Sequence, residues 1–164
     1  NKNTNFILVA KNPKLMLDTV KSRCQTLTLH KTTSAQDKKL LEKYNLDPAS
    51  SQQILFLAAG RPLLIKELAE NQEKFAEYRQ LATDAKQILA TNREYDTFKN
   101  LVKYFSDRQK AILLTDIIVN MIRFQSLSRG INPSLEEQLE KTTSVASALK
   151  SNANVRLALM QLVI

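Results

Sequence analysis

The most constraining feature of this sequence is a stretch at residues 111–122, AILLTDIIVNMI, which is apolar on nearly every side when drawn as a helix. A helix of this kind is stable in water only when other elements surround it. The stretch therefore predicts a central, buried helix. Asp107 precedes it as a candidate N-cap, and Gly130 follows it as a terminator.

Four further helices are expected between residue 72 and the end of the chain. Apolar residues recur at intervals of three and four between Phe75 and Leu89, which predicts a long amphipathic helix. The periodicity and break signals place the other three helices at residues 95–105, 134–150 and 154–164. Residues 72–164 would then form a domain of five helices.

Three shorter helices are expected before residue 72. Ser34 as an N-cap, with Asp37 three residues later, begins the first. Pro48 suits the first turn of the second, Gly60 ends it, and Pro62 begins the third. The expected helices span residues 35–44, 48–59 and 62–71. Three short helices so close together predict a small bundle.

The first thirty residues have a different pattern. Residues 6–10 are a short apolar run, which predicts a buried strand. A short helix is expected at residues 14–21, and alternating apolar residues at 25–29 predict a second strand. The tripeptide Ser22-Arg23-Cys24 lies between that helix and the second strand, where we expect a surface.

This segment resembles the end of the nucleotide-binding module in subunits of the bacterial clamp loader, an AAA+ family. The matching residues are Phe6, Ile7, Leu8, Pro13, Thr19, Val20, Ser22, Arg23, Cys24 and Gln25. A weaker similarity covers Ala59-Gly60 and residues 154–159. The resemblance implies a mainly α fold in three parts. These are a strand-helix-strand remnant of the AAA+ module at 1–30, a three-helix lid at 31–71 and a five-helix collar domain at 72–164.

In that family the Ser-Arg-Cys motif carries an arginine finger, so the resemblance makes Arg23 a catalytic residue acting in trans on ATP held by a neighbouring subunit. A guanidinium is always charged and presents a planar fork to phosphate oxygens. Ser22 and Cys24 would set the geometry of the loop, with Cys24 packed as a small apolar group. The implied partners are gamma or tau and delta subunits and, through the complex, the sliding clamp and primer-template DNA.

Two positions depart from the pattern of the ATP-hydrolysing subunits. Ala10, followed by Lys11, stands where a polar sensor is expected after the strand. Gly60-Arg61-Pro62-Leu63 stands where the family has G-S-x-R, so Arg61 is expected to be a solvated residue at a helix start. Both departures favour a subunit that donates a finger without hydrolysing ATP, although a gamma- or tau-type ATPase fragment is an alternative.

The charge distribution supports a third hypothesis. The net charge is +8, and residues 1–43 have nine Lys or Arg against three acidic residues. Such a surface could face phosphates of nucleotide or DNA, or serve only solubility. A stand-alone basic helical module that binds nucleic acid is the corresponding alternative. The cluster Lys99, Lys103, Arg108 and Lys110 around Tyr104 and Phe105 would contribute to it, but we favour a basic rim over core aromatics.

Other classes of function lack the residues they need. One cysteine, Cys24, and one histidine, His30, cannot form an internal disulfide or a Cys/His metal site. The chain has no Gly-rich phosphate loop, and Glu136-Glu137 is expected to be solvated. We expect no cofactor, no metal and no activity from the chain alone. The lack of a signal segment or of about 18 consecutive apolar residues predicts a soluble cytoplasmic protein, and the opening strand predicts a fragment of a longer one.

Overall fold

The computed structural model describes residues 4–10, 16–91, 93–130 and 132–163. Within these residues the chain forms nine α-helices and no strand, which confirms the mainly α prediction. The helices are α1 Asp18–Lys21, α2 Ser34–Leu41, α3 Pro48–Ala58, α4 Pro62–Glu70, α5 Gln72–Ala90, α6 Glu94–Val102, α7 Arg108–Arg129, α8 Pro133–Lys150 and α9 Val155–Met160.

The chain divides into two compact units between Lys31 and Thr32. The first unit contains the single-turn helix α1 and is otherwise without regular secondary structure in its described residues. The strands predicted at 6–10 and 25–29 are therefore wrong for this structure. A strand exists only through ladder hydrogen bonds to a neighbour, and neither segment makes backbone hydrogen bonds in the described part of this unit. The apolar side chains of Phe6 and Leu29 are exposed as a result.

The second unit, Thr32–Ile164, contains α2 to α9 around one continuous hydrophobic core. α7 packs against both α5 and α8, and Leu114, Ile118 and Ile122 on it are fully buried. The prediction of a central buried helix is confirmed. The division of this region at residue 71 stays a prediction, because buried residues of α2 to α4 belong to the same cluster as those of α7.

Side-chain caps set the starts of most of these helices. Five cap residues each accept a hydrogen bond from the backbone N–H three positions later, at 2.8–3.1 Å. They are Asp47, Asn71, Asp107, Asn132 and Asn154. These bonds satisfy donors that have no partner inside the helix. The predicted cap at Ser34 is wrong, because Thr33 is the N-cap and forms a capping box with Gln36.

The central helix α7 is also long and apolar enough to cross a membrane by length and composition. Its segment Arg108–Ser128 has a mean hydropathy of 1.3, and it is the one such helix in the described part of the chain. Most of its apolar residues lie in the core between α5 and α8, whereas Phe124 and Leu127 are exposed. Burial inside the helical unit therefore accounts for its composition.

Candidate functional site

The Ser-Arg-Cys motif directly follows α1. The backbone N–H of Ser22 donates to the carbonyl of Asp18 at 2.9 Å, and that of Arg23 donates to the carbonyl of Val20 at 3.1 Å. The N–H of Cys24 donates to the carbonyl of Lys21 at 3.2 Å. The motif thus extends the last turn of α1 as a tighter turn, in which the N–H groups of Arg23 and Cys24 bond to carbonyls three residues earlier. Such turns are a common way to satisfy carbonyls at a helix end.

The three residues of the motif are exposed, and the hydroxyl of Ser22 donates to the carbonyl of Thr19 at 3.2 Å. Arg23 is exposed, so its guanidinium can meet an anion carried by another molecule. Its role as a finger stays a prediction, because a finger acts on nucleotide bound by another subunit. The prediction that Cys24 packs as an apolar group is wrong, since the thiol is exposed. The residues that follow it, 25–30, are exposed as well and do not cover it.

The predicted sensor position after the first predicted strand lies only partly within the described residues. Ala10 is exposed and lies outside any helix or strand, whereas Lys11 and Pro13 lie outside the described residues. His30, Glu136 and Glu137 are exposed, as expected for residues without a site of their own. Within the described ranges, no three His, Cys, Asp or Glu residues are arranged to hold a metal ion.

A buried carboxylate, missed in the sequence, holds the corner between α3 and α4. Asp37 is almost completely buried, and its carboxylate accepts hydrogen bonds from the backbone N–H of Gly60 at 2.8 Å and from the hydroxyl of Thr32. Gly60 has φ +73°, a left-handed conformation that glycine adopts without steric cost. Asp37 lies in the first turn of α2, as its position suggested, but its carboxylate bonds to Gly60 and so serves the tertiary structure of α2 to α4.

Arg61, next to this corner, is half-buried rather than solvated as predicted. Its guanidinium Nη2 donates to the carbonyl oxygen of Leu57 at 2.6 Å. Leu57 lies in the last turn of α3, where carbonyls lack partners inside the helix and a positive charge is favourable. The sharp turn at Gly60 returns the side chain of Arg61 over the end of α3, so its guanidinium is held against the end of that helix by this hydrogen bond.

The predicted basic cluster is largely occupied by contacts within the second unit. Lys103 forms an ion pair with Asp84 at 2.7 Å, and Lys110 forms one with Glu77 at 3.2 Å. Arg108 donates to the carbonyls of Leu149 and Ala153, both at 2.7 Å, and so ties the start of α7 to the end of α8. Lys99 is exposed. This arrangement favours the structural interpretation of the cluster over a nucleic-acid site.

Asp84 is the centre of a buried polar network that connects α5 to the residues after α6. Its carboxylate accepts hydrogen bonds from the hydroxyl of Tyr104 and, at 3.1 Å, from the amide of Gln80, in addition to the Lys103 ion pair. Burial acts to raise the pKa of Asp84, but the hydrogen bonds from Lys103 and Tyr104 outweigh it and hold the pKa below its usual value. Burial and the bond to Asp84 raise the pKa of Tyr104 far above its usual value.

We expect this network to make the protein sensitive to acid. The pKa of Asp84 is lower in the folded chain than in the unfolded one, so its contribution to stability is complete above the unfolded pKa of about 4. That contribution is lost as the pH falls through the folded pKa. The Asp84→Asn variant should lose about 1–3 kcal/mol of unfolding free energy at pH 7, because charged hydrogen bonds are removed from a buried site.

Urea unfolding at pH 7 and at pH 3 measures both effects. Asp84→Asn should lose less stability between the two pH values than the unchanged protein does. Asp116→Asn is the matched control, since Asp116 pairs with Lys150 at 2.7 Å in a more exposed position and should change stability by less than about 1 kcal/mol. Equal acid sensitivity of Asp84→Asn and the unchanged protein would contradict the role given to this carboxylate.

No family model, curated protein or solved structure matches this chain. The similarity to clamp-loader subunits therefore rests on the residues quoted for it and on their order in the chain. The function that follows from it is a proposal.

Proposed function

We propose that this chain is part of the delta-prime subunit of the bacterial clamp loader, in the cytoplasm. In this role it assembles with gamma or tau and delta subunits and lends Arg23 to ATP bound by a neighbour. The observation that carries the proposal is an exposed arginine directly after a short helix, within the residue order that the family shows. The loader would then open the sliding clamp and place it on primer-template DNA during replication.

The corner at Gly60 supports a subunit that does not hydrolyse ATP. The family pattern in hydrolysing subunits has an arginine at the position of Leu63, and Leu63 cannot contact a phosphate electrostatically. The nearby Arg61 does not replace it, because its guanidinium is bonded to the carbonyl of Leu57 at 2.6 Å. This chemistry favours delta-prime over a gamma- or tau-type ATPase fragment.

The basic module that binds nucleic acid is less well supported. Lys103, Arg108 and Lys110, three of the four cations in its predicted cluster, have partners within the second unit. A hydrogen bond or an ion pair must be broken or shared before such a side chain neutralises a phosphate, which lowers the gain from binding. We therefore do not place the function of this chain in that cluster.

Assembly of a loader requires surfaces left over after the core of each collar domain is filled. One stripe of α9 and the turn after it is expected to face the core. It consists of Val155, Leu159 and Leu162, and all three side chains pack in or against the core. The residues off this stripe, predicted for the interface, are Leu157, Met160, Val163 and Ile164. Val163 packs against the core instead, Met160 is half-buried, and Ile164 lies outside the described residues. Leu157 is the clear candidate for the interface.

We expect Leu157→Glu to weaken assembly without unfolding the subunit. Leu157 is 69% exposed, so a charge there is tolerated by the free subunit but not by an apolar interface. In the full-length subunit, binding to gamma and delta should weaken on the order of tenfold or more, as measured by co-purification and titration. Removal of the whole of α9 would be a poorer test, because Ala158 and Leu159 belong to the core.

Leu63→Glu is the matched control for this experiment. Leu63 is also 69% exposed but lies on α4, away from the proposed interface helix. Its substitution should leave assembly unchanged. Wild-type assembly by Leu157→Glu would remove α9 from the interface, and equal loss in both variants would show that the effect is not specific to α9.

A further inference from the structure

A groove of about 750 Å³ lies between α3, α5 and α7, within the second unit. Its floor is apolar and includes the buried Leu57 and Met121. The aromatic rings of Phe56 and Phe124 form its wall, packed edge to face with centroids 5.9 Å apart. Phe124 is nevertheless 61% exposed, which is unusual for a phenylalanine beside a core.

The rim of the groove is positively charged. Arg79 and Lys86 lie on α5 along one wall, and no Asp or Glu is among the described residues that line the groove. Arg79 is positioned over the ring of Phe75, with its guanidinium carbon 5.6 Å from the ring centroid. The amides of Gln52, Gln53 and Gln125 complete the polar part of the lining. The groove thus combines an apolar floor with a cationic edge.

The wall formed by α5 sets the size of the ligand. The lining residues of α5 run from Arg79 to Ala90, which at 1.5 Å per residue is about 16 Å. Three turns of an α-helix have the same length. An amphipathic helix with anchors at intervals of three and four residues binds such grooves with its apolar face.

We propose that this groove binds a short acidic amphipathic helix of a partner protein. Apolar anchors of that helix contact Leu57, Met121 and the exposed ring of Phe124. Its Asp or Glu residues pair with Arg79 and Lys86 at the edge. This surface lies outside both the Ser-Arg-Cys motif and α9, so the inference goes beyond the proposed function and does not depend on it.

A nucleic-acid strand suits the groove less well than an acidic helix. Single-stranded nucleic acid needs a cationic path along its phosphates and open aromatic faces for its bases. The two cations of the lining are confined to one wall, and the rings of Phe56 and Phe124 are packed against each other.

The test is fluorescence anisotropy with the full chain and three labelled probes. The first is a synthetic helix of about three turns, with leucine at every third or fourth position and glutamate on both flanks. The second has lysine in place of glutamate, and the third is a short oligothymidylate. We expect the acidic helix to bind on the order of a hundredfold more tightly than the basic one, because both flanks change sign opposite the cationic wall.

Variants assign the binding to the groove. Lys86→Glu and Phe124→Ala should each weaken binding of the acidic helix on the order of tenfold or more, through loss of the charge pair and of the aromatic anchor. Lys99→Glu is the matched control, because it makes the same charge change on α6 outside the groove. Circular-dichroism melts of each variant verify that the fold is intact.

Three outcomes would overturn the proposal. One is equal binding of the acidic and basic helices. Another is tighter binding of oligothymidylate than of the acidic helix, which would make the groove a nucleic-acid site. The third is binding that Lys86→Glu and Phe124→Ala leave unchanged. None of these results would bear on the role of Arg23.

Discussion

The Ile118→Asp variant should be largely unfolded at room temperature, because Ile118 is 1% exposed at the centre of α7. An aspartate there places a charge without a partner among aliphatic side chains, at a cost of roughly 5 kcal/mol or more. That is comparable with the whole stability of an ordinary domain, about 5–15 kcal/mol. Since α2 to α9 share one core, we expect the whole second unit to lose its folded structure. A circular-dichroism melt without a cooperative transition is the expected measurement.

Leu127→Asp is the control on the same helix. Leu127 is 88% exposed near the end of α7, so the same new charge stays in water. Its melt should differ little from that of the unchanged protein, as surface substitutions usually alter stability by less than about 0.5 kcal/mol. A native melt for Ile118→Asp would contradict the central position of α7.

Arg23→Ala should slow ATP hydrolysis in a loader reconstituted from full-length subunits while leaving its assembly intact. Arginine fingers contribute on the order of 10³ to 10⁵ to the rate of phosphoryl transfer at the site they serve. Several sites hydrolyse ATP in a loader and only one would lose its finger, so the total rate should fall only in part. The measurement is ATPase activity stimulated by DNA and clamp, with single-turnover analysis to resolve the affected site.

Two further variants make this result specific. Arg23→Lys should not restore the rate, because an ammonium lacks the planar fork that binds two phosphate oxygens. Lys21→Ala is the control, since it removes a neighbouring cation of α1 that pairs with Asp18 at 2.6 Å. It should leave hydrolysis near the wild-type rate. A loader with Arg23→Ala that hydrolyses ATP and loads clamps normally would reduce the Ser-Arg-Cys motif to a structural turn.

Local pattern accounts for the helices of this protein that could be predicted. The apolar run at residues 111–122 lies in α7, and Asp107 begins that helix as the cap expected from the sequence. These signals work because periodicity and capping join residues three or four positions apart. The candidate site was predictable only as the exposed tripeptide around Arg23.

The two strand predictions are wrong because a local apolar pattern does not by itself form a strand. Residues 6–10 have the composition of a buried strand, but a strand also needs a neighbour to complete its hydrogen bonds. No such pairing occurs in the described part of the first unit. The prediction for Cys24 is wrong for a similar reason. Burial of the Cys24 thiol would need residues from elsewhere in the chain to cover it, and the thiol is exposed.

The sequence by itself determined approximately where α2 to α9 begin and which helix is central, through interactions between residues close in the chain. The tertiary structure alone decided that Asp37 bonds to Gly60, 23 positions away, and that Tyr104 bonds to Asp84, 20 positions away. It also brought α3, α5 and α7 together to form the groove with an apolar floor and a cationic edge. The physical reason is that a buried charge takes whichever partner the packing of helices places beside it, and no local periodicity encodes that choice.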